Sequence, residues 1–372
     1  MTKTLQLTLA LLAFAFLPLA HAKPPAPPLT PDQTAAIEFK VTEAMKKEFV
    51  PGLAVAIVKD GLPVYVKTWG QANLEHAIPV TPKTVFKVAS VSKQMIAAGI
   101  VLLAQEGKLG LDDPVSKHLK NTPETWSGVT LRHLLNHSAG IVREGPAFDA
   151  YKPVPDRDVV ASAYSQPLAF PTGTKTQYCN VCYFALAEII STTSGQSWPA
   201  FIGARLFAPA GMKATRTTTT RELVPLRATG YEAKDGVNVP GEDYIAVRPS
   251  GAFLSTIEDM VAWEAFLHGG KVISPKSLAE MSSRSRLNDG SFAPFGAGGQ
   301  SGYGLGFEIS TLDGHARIHH GGALPGFRSH YGRYPDSGFA VIVLANGPLR
   351  AGVLEQAIAR VVLPVLKVAG KD

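Results

Sequence analysis

The stretch that decides the fold is residues 86–105, which read FKVASVSKQMIAAGIVLLAQ. From Ser92 onward it is rich in Met, Ile, Ala and Leu, and Gly99 is its one helix breaker. Gly107 stands where such a helix would end, since glycine readily adopts the left-handed conformation that closes a helix. The pattern therefore predicts a buried central helix that begins near Ser92.

Ser90 and Lys93, at the start of this helix, form an S-x-x-K pattern. Residues three apart on a helix face the same way, so the amine of Lys93 is expected within reach of the Ser90 hydroxyl. Such an amine activates a serine nucleophile when its own pKa is depressed, or when its charge activates another base. The helix N terminus favours the negative charge that develops on the acyl oxygen. Because chance produces S-x-x-K about once in a chain of this size, the interpretation needs further motifs.

The segments around the central helix predict a sheet with a helix at each end of the chain. Residues 32–49 have apolar positions at spacings of four, which predicts an amphipathic helix. The runs 53–58 and 64–69 are apolar and β-branched, and the Asp60-Gly61 pair between them favours a hairpin. Four further strands are predicted as an antiparallel meander at 306–310, 315–320, 329–334 and 339–345.

Two helices are predicted in the C-terminal third. Ser255 is expected to cap a helix that runs to residue 267. An apolar helix at 353–368, with a kink at Pro364, is expected to close the chain. Residues 110–249 hold shorter helical patterns separated by Pro and Gly loops, such as those at 130–136 and 181–193.

These patterns predict an α+β fold in which an antiparallel sheet is flanked by the N- and C-terminal helices. We predict an α/β domain made of residues 32–109 and 250–372, into which a mainly helical domain, residues 110–249, is inserted. No internal repeat is apparent in the sequence.

The first residues have the three parts of a secretory signal peptide. A cationic start at Lys3 is followed by an apolar run and by the small-x-small end Ala20-His21-Ala22. We therefore predict a cleaved signal peptide at residues 1–22, a Pro-rich leader at 23–31, and a periplasmic or secreted protein without a stable membrane anchor. The sequence leaves the oligomeric state open.

Composition narrows the possible partners and cofactors. The formal net charge is +6, but the basic residues are scattered, so no nucleic-acid partner is predicted. The two cysteines, Cys179 and Cys182, are too few for a disulfide-rich scaffold. Their spacing favours a buried pair of small side chains over a short-range disulfide, with metal or redox chemistry as a third reading.

Two further motifs follow the S-x-x-K pattern in order. Tyr178-Cys179-Asn180 comes after a Pro-Thr-Gly-Thr turn, and His320-Gly321-Gly322 comes after the start of a predicted strand. With the phrases FKVAS at 86–90, LRHLLNH at 131–137 and LPGF at 324–327, they give a chain that resembles the serine β-lactamase and penicillin-binding superfamily. The resemblance is to its class C β-lactamase, D,D-peptidase, D-aminopeptidase and esterase branch, and it runs from about residue 32 to 368.

The resemblance implies a role for each motif residue. Ser90 would be the nucleophile, Lys93 its activator and Tyr178 the general base and later acid. Asn180 would contact the acyl amide of the substrate, and His320 and Gly322 would belong to the third, substrate-binding motif. The resemblance also implies an oxyanion hole made of the backbone N–H groups of Ser90 and Ala323. No cofactor and no metal is implied.

The third motif departs from the Lys-Thr-Gly of many β-lactamases. A histidine with an ordinary pKa is mostly neutral at pH 7, and Gly321 has no hydroxyl, so recognition of a substrate carboxylate is expected to be weak. Esters, amides and free-amine peptides are therefore expected to be better substrates than penicillins.

Histidines at other positions are candidate metal ligands by their spacing. His133 and His137 stand four apart on a predicted helix, but the sequence offers no evident third ligand, so structural hydrogen bonding is expected. His319 and His320 should point to opposite faces of one strand, which argues against a metal site shared with His315 and His330.

Three functions are consistent with these residues, two of them hydrolytic and one non-catalytic. We predict a serine hydrolase that forms a Ser90 acyl-enzyme with an ester, an amide or a D-amino-acid peptide as its small-molecule or peptide substrate. A class C-like β-lactamase is the alternative within the same chemistry. A non-catalytic penicillin-binding or cell-wall sensor is the alternative outside it, although Ser90, Lys93 and Tyr178 are all present.

Overall fold

The structure is a computed structural model that describes residues 28–217, 222–244, 249–251, 253–296, 299 and 301–365. The α-helices are α1 (Pro31–Glu48), α2 (Lys93–Gln105), α3 (Leu131–Leu135), α4 (Asp156–Ser162), α5 (Asn180–Ser194), α6 (Trp198–Ile202), α7 (Ala208–Ala210), α8 (Ile257–Gly269), α9 (Pro275–Met281) and α10 (Ala351–Val362). The strands are β1 (Gly52–Lys59), β2 (Leu62–Asn73), β3 (Ile78–Pro79), β4 (Phe86–Lys87), β5 (Tyr231–Lys234), β6 (Val237–Pro240), β7 (Leu254–Ser255), β8 (Pro294–Phe295), β9 (Ser301–Tyr303), β10 (Glu308–Leu312), β11 (His315–Leu324), β12 (Phe327–Tyr334) and β13 (Phe339–Ala345).

Nine of these strands form one antiparallel sheet in the order β3-β2-β1-β13-β12-β11-β10-β9-β8. Strand β1 lies inside it and is buried on both faces. Leu53, Val55 and Ile57 join the core under α1 and α10, whereas Ala54 and Ala56 join the larger core around α2. Because successive side chains alternate across a strand, one apolar run serves both cores. The predicted fold class is therefore confirmed.

Helix α2 lies in the larger core and begins directly after a 3-10 turn at Ala89–Ser92. Its side chains are buried almost all round, from Lys93 to Leu103. The sequence predicted this helix correctly, apart from the 3-10 geometry of its first turn. The division of the chain into two domains stays a prediction. Among the described helices, none is long and apolar enough to cross a membrane.

Several predicted boundaries were wrong by a few residues. Thr256, not Ser255, caps α8, because the Thr256 hydroxyl accepts from the N–H of Asp259, while the Ser255 hydroxyl is buried against Thr215. The last helix has no kink at Pro364. It ends at Val362, since the residue before a proline is disfavoured in helical conformation and Leu363 is extended.

The predicted ends of the chain lie largely outside the described residues. The signal peptide at 1–22 and most of the leader fall there, as do residues 366–368 of the predicted last helix. Pro31, which we assigned to the leader, is the first residue of α1, and Thr30 caps that helix in a capping box with Gln33. Proline is favoured at this position because its missing N–H would have no partner there.

Candidate active site

Ser90 lies in the 3-10 turn that leads into α2, and it is partly exposed, so its hydroxyl can be reached from solvent. The residue before it, Ala89, has a φ of 48°, in the left-handed region that favours glycine. A non-glycine residue there costs about 1–2 kcal/mol, so the surrounding contacts must hold it in place. The backbone next to Ser90 is thus held in an uncommon conformation.

Lys93 is fully buried, and its amine contacts three oxygens. Its Nζ lies 2.6 Å from the carbonyl oxygen of Ser250, 2.8 Å from Oδ1 of Asn180 and 3.3 Å from Oγ of Ser90. Burial lowers the pKa of Lys93 well below its ordinary value, and the charge of Glu144 only partly opposes this. The amine is therefore shifted toward its neutral form, which has a lone pair to receive a proton.

Tyr178 forms a side-chain hydrogen bond with Ser90. The amine of Lys93 lies 4.6 Å from the centre of its ring. Burial raises the pKa of Tyr178 above its ordinary value, and the hydrogen bond to Ser90 only partly offsets this. The phenol therefore holds its proton at neutral pH.

Asn180 is the first residue of α5, and its side chain joins Lys93 to a residue that the sequence did not single out. Its Oδ1 accepts from Lys93, and its Nδ2 donates to the carboxylate of Glu144. The neighbouring Arg143 holds its guanidinium 5.5 Å from the centre of the Tyr178 ring. A pair of opposite charges, Arg143 and Glu144, thus stands beside Tyr178 and Asn180.

The sequence did not single out this pair. Residues 141–155 contain Gly and Pro, which are typical of a loop, but nothing in them shows which side chain faces the site. The contact arises from tertiary structure, since the carbonyl of Arg143 accepts from the N–H groups of Asn180 and Val181 at 2.8 and 3.2 Å.

The third motif lies on β11, against the backbone that precedes Ser90. A Cβ on Gly322 would lie 2.4 Å from the carbonyl oxygen of Val88 and 2.3 Å from Oγ of Ser329. The Ser329 hydroxyl donates to that same carbonyl at 2.7 Å. Only a glycine lets β11 approach so closely. Ala323 follows it in an exposed position, and its oxyanion role stays a prediction.

His320 is buried and neutral. Its Nε2 lies 2.9 Å from the hydroxyl of Tyr303, and its Nδ1 lies 2.6 Å from the carbonyl oxygen of Gly321. Burial, followed by the charge of Lys93, lowers the pKa of His320 to about 3. The third motif therefore offers no positive charge to a substrate carboxylate at neutral pH.

The other histidines are held by protein contacts. Nδ1 of His133 accepts from the N–H of Thr130, and Nδ1 of His137 accepts from the N–H of Cys179 at 3.1 Å. His319 lies 3.0 Å from the hydroxyl of Ser310, away from the Tyr303 contact of His320, as expected for neighbours on a strand. Within the described ranges, no three His, Cys, Asp or Glu side chains are grouped to hold a metal ion.

Cys179 and Cys182 form a disulfide. The prediction that both side chains are buried is confirmed, but the favoured reading of an unbonded pair was wrong. Cys179 is the cap of α5 and Cys182 its third residue, and this spacing brings the two sulfurs together on one turn.

Comparison with known proteins places these residues in a family. The family model described as Beta-lactamase matches residues 38–363. Penicillin-binding protein 4* of Bacillus subtilis is 30% identical over 314 residues, covering 78% of this chain and 67% of the relative. A D-aminopeptidase of Brucella anthropi is 31% identical over 310 residues, covering 80% of this chain. The chain spans only 56% of that D-aminopeptidase.

Solved structures support the same fold. The octameric penicillin-binding protein homologue from Pyrococcus abyssi superposes with a TM-score of 0.77 at 28% identity, over 88% of this chain and 77% of the other. The D-amino acid amidase from Ochrobactrum anthropi SV3, solved with D-phenylalanine, also reaches 0.77, over 89% of this chain and 99% of the other. At 23% identity, the amidase supports the fold alone.

Proposed function

We propose that this chain, which belongs to the β-lactamase family of serine hydrolases, cleaves a small ester, amide or D-amino-acid peptide through an acyl-enzyme on Ser90. One observation carries the proposal. The buried amine of Lys93 lies 3.3 Å from Oγ of a solvent-accessible serine, and Tyr178 forms a side-chain hydrogen bond with the same serine. A nucleophile, a proton acceptor and a proton donor thus share one site.

In the first step, the Ser90 hydroxyl attacks the substrate carbonyl and gives its proton to Lys93. The resemblance assigned the base role to Tyr178, but the directions of the two pKa shifts favour Lys93, since its amine tends to be neutral while the Tyr178 phenol stays protonated. A neutral amine that donates to Ser250 and Asn180 still has its lone pair for the Ser90 proton.

In the second step, Tyr178 gives its proton to the leaving amine or alkoxide as the bond to the carbonyl carbon breaks. The ammonium of Lys93, 4.6 Å from the Tyr178 ring, stabilises the phenolate and then returns a proton to it. Water next attacks the acyl-enzyme, its proton passes to Lys93, and Ser90 recovers its hydroxyl as the acid product leaves.

We propose that negative charge on the substrate oxygen is stabilised by the backbone N–H groups of Ser90 and Ala323. Gly322 supports this assignment, because its close approach to Val88 holds the strand bearing Ala323 against the turn bearing Ser90. The 3-10 turn at Ala89–Ser92 supports it as well, since it leaves the Ser90 N–H near a helix start.

We infer that Glu144 receives the free amine of a substrate. Its carboxylate lies beside Asn180, is partly exposed, and stands 3.5 Å from Nε of Arg143, with which an incoming amine would have to share it. Neutral His320, by contrast, offers nothing to an anionic carboxylate. Relatives described as D-aminopeptidases support this preference. Class C-like β-lactamase activity is the second candidate, favoured by the shared Ser90, Lys93 and Tyr178 but opposed by His320.

We also propose that the protein works outside the cytoplasm. The signal-like residues 1–22 and the Cys179–Cys182 disulfide support a periplasmic or secreted location. Expression of the full chain followed by N-terminal sequencing of the exported protein tests this, and cleavage after Ala22 is the expected result.

The test of function uses four chromogenic substrates with wild type and Ser90→Ala. These are p-nitrophenyl butyrate, D-alanine p-nitroanilide, its N-acetyl derivative and nitrocefin. We expect ester and anilide turnover that disappears in Ser90→Ala, with the free amine preferred over its acetylated form. Glu144→Gln should raise KM more for the free amine than for its acetylated form, and any effect that acts through Asn180 and Lys93 should be common to both substrates. Dominant nitrocefin turnover would promote the β-lactamase function, and a stable adduct without turnover would promote the sensor.

A further inference from the structure

The Cys179–Cys182 disulfide lies inside the second catalytic motif. Cys179 is the residue between Tyr178 and Asn180, and Cys182 follows two residues later in the first turn of α5. Both cysteines are almost fully buried, with 1% and 0% of their surface exposed. The crosslink therefore ties the segment that carries two site residues to the helix behind it.

The backbone N–H groups at the start of α5, which have no partner within the helix, each donate to another acceptor. The N–H groups of Asn180 and Val181 donate to the Arg143 carbonyl at 2.8 and 3.2 Å. The N–H of Cys182 donates to the sulfur of Cys179 at 3.1 Å, and the N–H of Cys179 donates to Nδ1 of His137. Cys179 thus has two functions here, as a hydrogen-bonding cap and as one half of a covalent link.

Such a restraint is needed because of where the site residues lie. Tyr178 precedes the helix and Asn180 opens it, and the first turn of a helix frays more readily than its interior. The rest of α5 is fixed, since it is buried and Tyr183 donates to the carbonyl of Leu135 at 2.9 Å. A link from Cys179 to Cys182 extends that rigidity to the catalytic end of the helix.

We propose that the Cys179–Cys182 disulfide is a positioning element of the active site, which holds Tyr178 and Asn180 in register with Ser90 and Lys93. The inference rests on the proposed function, since it concerns the rate of Ser90 acylation. The loop that the disulfide closes is short, so the link restricts the unfolded chain little. Its loss should therefore reduce the acylation rate far more than the thermal stability.

Two double variants distinguish the effect of the disulfide from the effect of the helix cap. Cys179→Ser/Cys182→Ala keeps a side-chain acceptor for the N–H of residue 182 but has no crosslink, because serine is a good helix cap. Cys179→Ala/Cys182→Ala has neither. Each is compared with wild type by its rate of Ser90 labelling with a fluorophosphonate, by kcat and KM for p-nitrophenyl butyrate, and by Tm.

We expect both variants to label Ser90 about ten- to hundredfold more slowly than wild type, since a shift of about 1 Å in a catalytic group costs a factor of this size. For the ester, kcat should fall more than KM changes. The serine variant should recover the Tm of wild type but not its rate. Wild-type labelling by the serine variant, or losses of rate that follow Tm across both variants, would overturn the proposal.

Reduction of the wild-type protein gives an answer if a variant does not fold. Tris(2-carboxyethyl)phosphine breaks the S–S bond to give two thiols and the phosphine oxide, with water supplying the oxygen and both protons. The labelling rate should fall in proportion to the thiols counted by mass spectrometry after alkylation, and an unchanged rate at full reduction would overturn the proposal.

Fluorophosphonate labelling separates this inference from the proposed function. Wild type that labels at Ser90 without hydrolysing any of the four substrates would contradict the proposed substrates, while the labelling rates of the variants would still decide the role of the disulfide. Wild type that is not labelled at all would overturn the acyl-enzyme proposal and the inference with it.

Discussion

The side-chain nitrogen of Lys93 lies 3.3 Å from the hydroxyl oxygen of Ser90, and the lysine is fully buried. Burial is what makes this distance meaningful, because an exposed lysine would remain protonated at neutral pH. Burial at the start of the central helix thus shifts Lys93 toward the neutral form that the proposed proton transfer from Ser90 requires.

The first prediction concerns the pH dependence of acylation. Because burial lowers the pKa of Lys93, kcat/KM for p-nitrophenyl butyrate should rise with pH and reach its plateau below the ordinary lysine value of 10.5. Because the pKa of Tyr178 is raised, the phenol stays protonated above pH 10 and no falling limb is expected below that pH. The rates are measured from pH 5 to 10 and corrected with Ser90→Ala.

Lys93→Arg is the control for this profile. Arginine keeps the charge but does not lose its proton in this pH range, so acylation should fall by at least about a hundredfold. An active Lys93→Arg enzyme would show that Lys93 acts through its charge and would return the base role to Tyr178.

The second prediction concerns Tyr178 and the leaving group. Tyr178→Phe removes the proton donor, so hydrolysis of D-alanine p-nitroanilide should fall about a hundredfold, and more than hydrolysis of p-nitrophenyl butyrate, whose phenolate leaves without a proton. Tyr183→Phe is the matched control, because its hydroxyl is bonded to the Leu135 carbonyl instead of Ser90. Equal losses on the two substrates would argue against an acid role.

The third prediction concerns the close approach of β11 to the nucleophile. Gly322→Ala should destabilise the protein by about 1–3 kcal/mol and lower activity on every substrate, because the added methyl group overlaps the Val88 carbonyl. Gly321→Ala is the neighbouring control, since its methyl group would meet only the His330 ring, at 3.3 Å. Urea unfolding and ester turnover are measured for both, and a Gly322→Ala enzyme as active as Gly321→Ala would contradict the assignment.

The fourth prediction concerns stability in acid. The pKa of His320 is lowered to about 3 in the folded protein, so between its ordinary value of 6.5 and that pH only the unfolded chain binds the proton. The stability that depends on this neutral histidine is fully present above pH 6.5 and is lost as the pH falls. At pH 5 the loss from this group is about 2 kcal/mol. Burial also lowers the pKa values of three other histidines, namely His137, His319 and His330.

The variant His320→Asn isolates the contribution of this group, because an amide oxygen can accept from Tyr303 without titrating. The free energy of unfolding in urea at pH 7.5 and pH 5 should differ less in the variant than in wild type. An equal difference in the two proteins would show that His320 is not the titrating group.

The sequence predicted the features that depend on local spacing. Ser90 and Lys93 meet because they are three residues apart at a helix start, and the continuous apolar run at residues 339–345 predicted β13 with its observed bounds. The family motifs placed Tyr178 and His320, which are far apart in the chain but lie close together in the fold.

Features that depend on contacts between distant segments were missed. Glu144 reaches Asn180 only because the Arg143 carbonyl caps α5, and no pattern in a Gly- and Pro-containing loop reports such a contact. The disulfide was not favoured because Cys spacing alone does not separate a bonded pair from two buried thiols. Helix ends were displaced by one to a few residues, where Thr256 competed with Ser255 as a cap.

The most direct test of the central claim is the intact mass of the protein quenched during turnover of p-nitrophenyl butyrate. We expect a transient butyryl adduct on the peptide that contains Ser90 in wild type, and neither adduct nor turnover in Ser90→Ala. Turnover that persists in Ser90→Ala, or an adduct on another residue, would contradict the claim.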